Sequence, residues 1–132
     1  MKHTTELKIR GYHLDGYGHV NNARYLELLE EARWQYLDII NAKSYFEERN
    51  LAFVVVNINI SYKYPITQGQ TLRIETEPSK KGNTSWIFHQ IGYLNDSSTQ
   101  VIDAVVTFVL LDAKTGKPVK VNEEMQEVLL PR

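Results

Sequence analysis

The sequence predicts an α+β fold in which a five-stranded antiparallel sheet packs on one long central helix. Two observations carry this. Four strand-like runs follow one another between residues 53 and 112 with a turn signal after each, and such successive runs pair as antiparallel neighbours. Ahead of them stands a single run of helical period, ending near Ile40, that is apolar enough to lie across the concave face of that sheet.

Residues 5–11 (TELKIRG) alternate weakly and read as a short edge strand. A polar loop follows over 12–20, carrying His13, Asp15, Gly16, Gly18 and His19. Asn21 or Asn22 suits a helix N-cap, because its side-chain oxygen can accept from an orphan N–H two or three residues on. Leu26, Leu29, Ala32, Tyr36 and Ile40 then recur at spacings of three and four, which puts them on one helix face. Leu28, Trp34 and Leu37 widen that face, and Glu27, Glu30, Glu31 and Arg33 make a charged side.

Residues 41–50 connect to the sheet through a short second helix starting at Ser44. Phe53–Tyr64 is the clearest strand. Strict alternation puts Val56, Ile58, Ile60, Tyr62 and Tyr64 on one face, with Asn57, Asn59, Ser61 and Lys63 on the other, and Pro65 ends it. Thr71–Glu77 is the next strand, Lys80-Lys81-Gly82-Asn83 a turn, Thr84–Leu94 a strand, and Asn95–Ser98 another turn. Gln100–Asp112 is long and strongly apolar, hence buried on much of both faces, and Asn122–Leu130 reads as a short terminal helix. The aromatic-rich strands offer more apolar surface than one helix covers, which points to a homo-oligomer.

Composition narrows the class. The chain has 132 residues, the size of one domain spanning 1–132, with 42% hydrophobic and 23% charged residues. A net charge of −1 supplies no electrostatic pull toward nucleic acid. The absence of cysteine removes disulfides, thiolate metal sites and a cysteine nucleophile, and fits a reducing cytoplasm. The opening MKHTTELKIRG lacks the apolar stretch of a secretory signal, and no apolar run approaches membrane-spanning length. The expectation is a soluble cytoplasmic protein with neither nucleic-acid nor membrane partners.

The chemistry concentrates between Ile9 and Tyr36. Asp15 sits just before a helix start, where unpaired N–H groups and the positive end of the helix dipole can hold a developing oxyanion while a carboxylate attacks or activates water. Turn chemistry alone also accounts for Asp15-Gly16. His13, Asp15 and His19 are metal ligands by type, but they lack a recognisable ligand spacing, so no metal is expected. Tyr25, Glu31 and Arg33 are accounted for by helix packing and an ion pair within the helix.

The stretch RGYHLDGYGHVNNARYLELLEEARW closely resembles the hotdog-fold acyl-CoA thioesterases of the 4-hydroxybenzoyl-CoA thioesterase type, and most of all their bacterial long-chain acyl-CoA thioesterase III branch. The matching residues are Asp15, Gly18-His19-Val20-Asn21-Asn22, Tyr25 and Glu30-Glu31-Ala32-Arg33, and AFVVVNINISYKYP and DAVVTFVLLD extend the likeness over residues 6–130. The resemblance implies a helix wrapped by a five-stranded antiparallel sheet, paired edge to edge as a homodimer or homotetramer with active sites at the dimer interface. It implies hydrolysis of long-chain acyl-CoA to free acid and coenzyme A without a cofactor. Asp15 would be the catalytic carboxylate, as nucleophile or general base, and the Asn22 backbone N–H would polarise the thioester carbonyl. Where many members carry Asp-x-Asp, this chain has His13 in the first position, which leaves the role of that position open.

A thiolate leaves readily, so one carboxylate and oriented donors worth about 3–4 kcal/mol suffice. His19 is a candidate to bind substrate, tune Asp15 or pack within the loop. Lys80 and Lys81, with Lys63 behind them, are candidates for a basic rim that docks the coenzyme A phosphates, and equally read as solvated turn lysines. Val54, Val56, Trp86 and Phe88 are candidates for an acyl tunnel or plain core. The alternatives are a hotdog hydratase or dehydratase acting on acyl thioesters, and a non-catalytic acyl-CoA-binding module.

Overall fold

A computed structural model describes residues 2–131, apart from the Lys81 side chain, which lies outside the description. Five strands form one sheet: β1 (His3–Lys8), β2 (Leu51–Tyr62), β3 (Thr71–Lys81), β4 (Ser85–Leu94) and β5 (Gln100–Asp112). They lie in the order β1-β3-β4-β5-β2, every pair antiparallel. The one long helix, α1 (Arg24–Ile39), is joined by the two short helices expected beside it, α2 (Ala42–Glu48), which starts two residues before Ser44, and α3 (Glu123–Leu129).

The expected antiparallel pairing of successive strands holds for β3–β4–β5 and fails for β2, which pairs with β5 and not with its successor β3. The connection over 63–70 explains this. Val20 N–H donates to Ile66 O and Gly69 N–H to Ile9 O, so this segment is engaged by the loop and by β1's exit instead of turning back on β2. The place beside β3 is taken by β1, in register from His3↔Thr76 to Lys8↔Thr71. Two elements end differently from the sequence reading. β1 stops at Lys8 instead of running to Gly11, and β3 carries on through Lys80 and Lys81, so the turn begins at Gly82, whose φ of +72° suits glycine.

Strict alternation also fails in β2. Val55 pairs with Phe108 and Asn57 with Thr107, leaving Val56 as an extra residue, a β-bulge. Phe53 and Val55 therefore share a face with Ile58, Ile60 and Tyr62, and Val56 is 56% exposed.

α1 buries Tyr25, Leu28, Leu29, Ala32, Arg33 and Tyr36, a stripe of helical spacing rotated from the expected one. Leu26 and Trp34 are exposed, while Arg33, expected on the charged side, is inside. The first half of the stripe packs on Ile9, Leu72, Ile74, Ile102 and Ala104, and the second half, through Tyr36, on Trp86, Phe88 and Leu110 and on α3's Met125 and Leu129. Tyr36 Oη donates to Leu129 O at 2.5 Å, fixing the terminal helix, and burial pushes this phenol up to about 12. α3 is capped by Asn122, which accepts from Met125 N–H at 2.9 Å.

Arg33 is 94% buried, as its 6% exposure shows, and it makes no ion pair among the described residues, so the expected pair within the helix is absent. Its Nη1 donates to Gln90 Oε1 at 3.1 Å, and Gln90 Nε2 donates to Leu29 O and Thr76 Oγ1, each at 3.0 Å. The guanidinium also lies 5.4 Å from the Phe108 ring centroid, a cation–π contact. Burial holds its pKa below the ordinary arginine value.

Candidate active site

The loop from Leu14 to Val20 closes as a small hairpin. Asp15 N–H donates to His19 O at 2.8 Å, Gly18 N–H donates back to Asp15 O at 3.2 Å, and Leu14 bridges Val20. Asp15 Oδ1 accepts from Tyr17 N–H at 2.9 Å and His19 N–H at 3.3 Å, an Asx turn of the kind Asp favours. Gly18 has φ +81°, the left-handed region that glycine enters without a Cβ clash. Thr67 Oγ1 donates to Gly18 O at 2.7 Å and Asn21 N–H to His13 O at 2.8 Å, so the loop is fastened from both sides. Turn chemistry thus occupies only one oxygen of Asp15; Oδ2 has no donor among the described residues, and the side chain is exposed.

The chain enters α1 through Asn21, whose Oδ1 accepts from Ala23 N–H and whose carbonyl accepts from Arg24 N–H, each at 2.9 Å. The N-cap position itself falls to Ala23, with no side-chain cap bond, so neither asparagine is the N-cap expected from sequence; Asn21 instead makes an Asx turn just ahead of the helix. The N–H of Asn22 has no acceptor among the described residues, and its carbonyl accepts from Tyr62 Oη at 3.0 Å. Such an unsatisfied donor at a helix opening is what an oxyanion requires.

Asp15 and Asn22 line one cleft of about 300 Å³, with Val20, Tyr25, Tyr62, Lys63, Tyr64 and Pro65 completing the lining. Tyr25 and Tyr62 meet at 5.5 Å between ring centroids, and burial raises the Tyr25 phenol to about 12, so it remains a neutral donor. Lys63 Nζ is held by Gln100 Oε1 at 3.0 Å and lies 3.8 Å from Asp103, which also bonds the His89 ring at 2.8 Å.

The structure brings together only some of the candidate residues. His19 meets Asp15 through its backbone N–H, and its ring is not part of the cleft lining. Lys80 stands near Trp86 and α3, apart from Asp15. Lys81 lies in β3, its side chain outside the description. Lys63, named from sequence only as standing behind those two, is the lysine that lines the cleft. Trp86 and Phe88 are core. His13 Nδ1 accepts from Arg10 N–H at 2.8 Å, so its ring shapes the turn ahead of Asp15. No group of three side chains able to hold a metal occurs among the described residues. No described helix is long and apolar enough to cross a membrane.

The tyrosines were missed because Tyr62 and Tyr64 belong to a strand pattern and Tyr25 to a helix stripe; only the pairing of β2 beside α1's start makes them neighbours. The one available signal was the density of tyrosine and lysine in SYKYP, directly before the connection that meets the Asp15 loop.

Residues 10–129 match the model of the thioesterase-like superfamily. The chain is 45% identical over 125 residues to the long-chain acyl-CoA thioesterase FadM of Escherichia coli, covering 95% of each chain. It is 32% identical to the acyl-CoA thioesterase YbgC of Haemophilus influenzae, covering 85% of this chain and 82% of that one. Among solved structures, YbaW, a probable thioesterase from Escherichia coli, superposes with a TM-score of 0.89 at 44% identity, covering 96% of this chain and 95% of that one. The fold is shared as far as a 1,4-dihydroxy-2-naphthoyl-CoA thioesterase from Synechocystis, with TM-score 0.88 at 16% identity over 99% of this chain and 97% of that one. The match over nearly the whole length, on a five-stranded antiparallel sheet with an aspartate loop ahead of its long helix, makes this chain a member of the thioesterase-like superfamily, with the hotdog fold.

Proposed function

We propose that the protein hydrolyses acyl-CoA thioesters, long-chain ones included, to the free acid and coenzyme A. The observation that carries this is the shared cleft: it is lined by both Asp15, whose Oδ2 has no donor among the described residues, and Asn22, whose N–H has no acceptor among them. The thioester carbonyl docks on the Asn22 N–H. Asp15 either attacks the carbonyl carbon or removes a proton from the water that does, the C–S bond breaks, and the electron pair leaves as coenzyme A thiolate. Both routes consume one water and return Asp15 unchanged. The relatives named as acyl-CoA thioesterases at 45% and 32% identity support the substrate class.

The same reading includes a second copy of the chain. β2 is a sheet edge of twelve residues with Val54, Val55 and Val56 exposed, and a long apolar edge is a template for strand pairing. Edge pairing there sets a neighbouring subunit beside the cleft that Tyr62 borders.

The test is thiol release from a panel of acyl-CoA esters, with enoyl hydration followed in parallel. Turnover to thiol that is lost in Asp15→Asn, with acyl-CoA binding retained, is the expected result. Hydration without thiol release, or binding without turnover in the unaltered protein, overturns it.

A further inference from the structure

The cleft of Asp15 and Asn22 holds one buried group that the proposed hydrolysis leaves idle, the hydroxyl of Tyr25. Tyr25 is the second residue of α1 and the first of its buried stripe. It follows Asn22 by three residues, and long side chains of a helix lean toward its N-terminus, so the ring lies back over the segment that Asn22 leads. The residue is 96% buried, as its 4% exposure shows, and belongs to the core with Val20, Leu28 and Leu29. Its hydroxyl makes no hydrogen bond among the described residues, yet it is not fully enclosed, unlike the unpaired His3 Nε2, Thr5 Oγ1 and Trp86 Nε1. The oxygen therefore emerges where the residue lines the cleft.

We propose that the Tyr25 hydroxyl donates to the thioester carbonyl oxygen and completes, with the Asn22 N–H, a two-donor oxyanion site. The proposal rests on the thioesterase reading and deepens it by naming the group that takes the second lone pair of that oxygen.

Three observations single out Tyr25. The other side-chain donors bordering the cleft are committed or wet. Tyr62 gives its hydrogen to Asn22 O at 3.0 Å, and Lys63 Nζ donates to Gln100 Oε1 at 3.0 Å with Asp103 at 3.8 Å. Tyr64 is 49% exposed and Asn22 is exposed as well, so their side chains must shed water before reaching a substrate. Tyr25 has little water to lose, and a donor fixed before charge develops stabilises that charge most. Its position is set by the same tyrosine that holds Asn22: the Tyr25 and Tyr62 rings meet at 5.5 Å between centroids, so one aromatic pair orients both donors. Its proton is secure. Burial first, then the neighbouring Tyr62, push the phenol up to about 12, so it stays a donor at neutral pH and leaves proton removal to Asp15.

Tyr25→Phe keeps the ring and removes the donor. With a long-chain acyl-CoA ester, kcat should fall by about 10²-fold, the usual order for one oxyanion donor, with KM little changed. The hydroxyl bonds to nothing in the free protein, so the denaturation midpoint should hold or rise. A direct readout is the infrared stretch of an isotope-labelled thioester carbonyl bound to Asp15→Asn. It should lie below the value in water, and adding Tyr25→Phe should move it back up. An unchanged kcat overturns the proposal. A kcat loss matched by a lower denaturation midpoint does so too, and makes Tyr25 a packing residue. A kcat loss with an unmoved carbonyl stretch also overturns it, and assigns the hydroxyl to the attacking water or the departing thiolate. If the unaltered protein turns over no ester, the thioesterase reading falls instead, and the carbonyl stretch still decides whether Tyr25 touches the bound ester. Absence of any acyl-CoA binding sinks both.

Discussion

Tyr62 at the end of β2 donates its hydroxyl hydrogen to the carbonyl of Asn22 at 3.0 Å, tying the sheet to the residue that opens α1. The bond leaves the Asn22 N–H untouched and restricts the residue that carries it. Tyr62→Phe keeps the ring contact with Tyr25 and removes the tie. A hydrogen bond is worth about 1 kcal/mol, so kcat should fall about fivefold with KM nearly unchanged. Steady-state kinetics on one acyl-CoA ester checks this, and an unchanged kcat removes Tyr62 from the positioning of Asn22.

Asp15→Asn retains an acceptor oxygen for the Tyr17 and His19 N–H groups, so the loop should survive. The carboxylate is lost. A fall in kcat of roughly 10²–10⁴-fold is expected, with thermal stability held near that of the unaltered chain. A parallel collapse of melting temperature would show that the aspartate serves the turn alone.

How far the sequence revealed this region can be judged residue by residue. Asp15 and Asn22 were legible because both belong to one contiguous stretch, and a loop followed by a helix has few ways to fold. Arg33 was not. Glu30 and Glu31 stand three and two residues before it, and its real partner, Gln90, is on β4. Nothing local says that the helix stripe turns far enough to bring a guanidinium inside. The antiparallel strands were legible from alternation, whereas β2's place beside β5 was not, since that choice depends on the 63–70 segment being held by the Asp15 loop.

Arg33 and Gln90 should therefore be coupled. Removing either leaves the other's polar atoms buried without a partner, at about 1–3 kcal/mol. Arg33→Met and Gln90→Leu should each destabilise by this order, and the double variant by clearly less than their sum. Chemical denaturation of the four proteins measures the cycle, and strict additivity would refute the coupling.

Gly92 on β4 faces the core, where an added Cβ would lie 2.6 Å from Ile102 Cγ2 and 2.8 Å from Leu72 Cδ1. Gly92→Ala forces both to shift, and overpacking of this kind costs about 1–3 kcal/mol. The melting temperature should drop, and thermal unfolding of the two proteins checks it; an unchanged midpoint would show that Ile102 and Leu72 give way freely.

His13 links the loop to pH. Burial first, then the Arg24 guanidinium, hold its ring below the ordinary 6.5. Its Nδ1 accepts from Arg10 N–H, which only a neutral ring can do. With the folded value depressed, the unfolded chain binds more protons in the window below 6.5, so stability rises with pH there and is lost as pH falls toward the folded value. Unfolding midpoints measured from about pH 7 to about pH 5 should decline, and His13→Gln should flatten the decline. An identical slope in both proteins refutes the link.

The supernumerary Val56 has a larger consequence than its own exposure suggests. Side chains along a strand answer to odd and even numbering, and an uninterrupted β2 would send Phe53 and Tyr62 to opposite sides. One uncounted residue reverses the parity midway, so the odd-numbered upper half and the even-numbered lower half present a common wall. Excising it would keep every remaining pair and leave the wall whole, whereas drawing it into the ladder as an ordinary paired residue would shift the register by one and turn half of that wall to the opposite face.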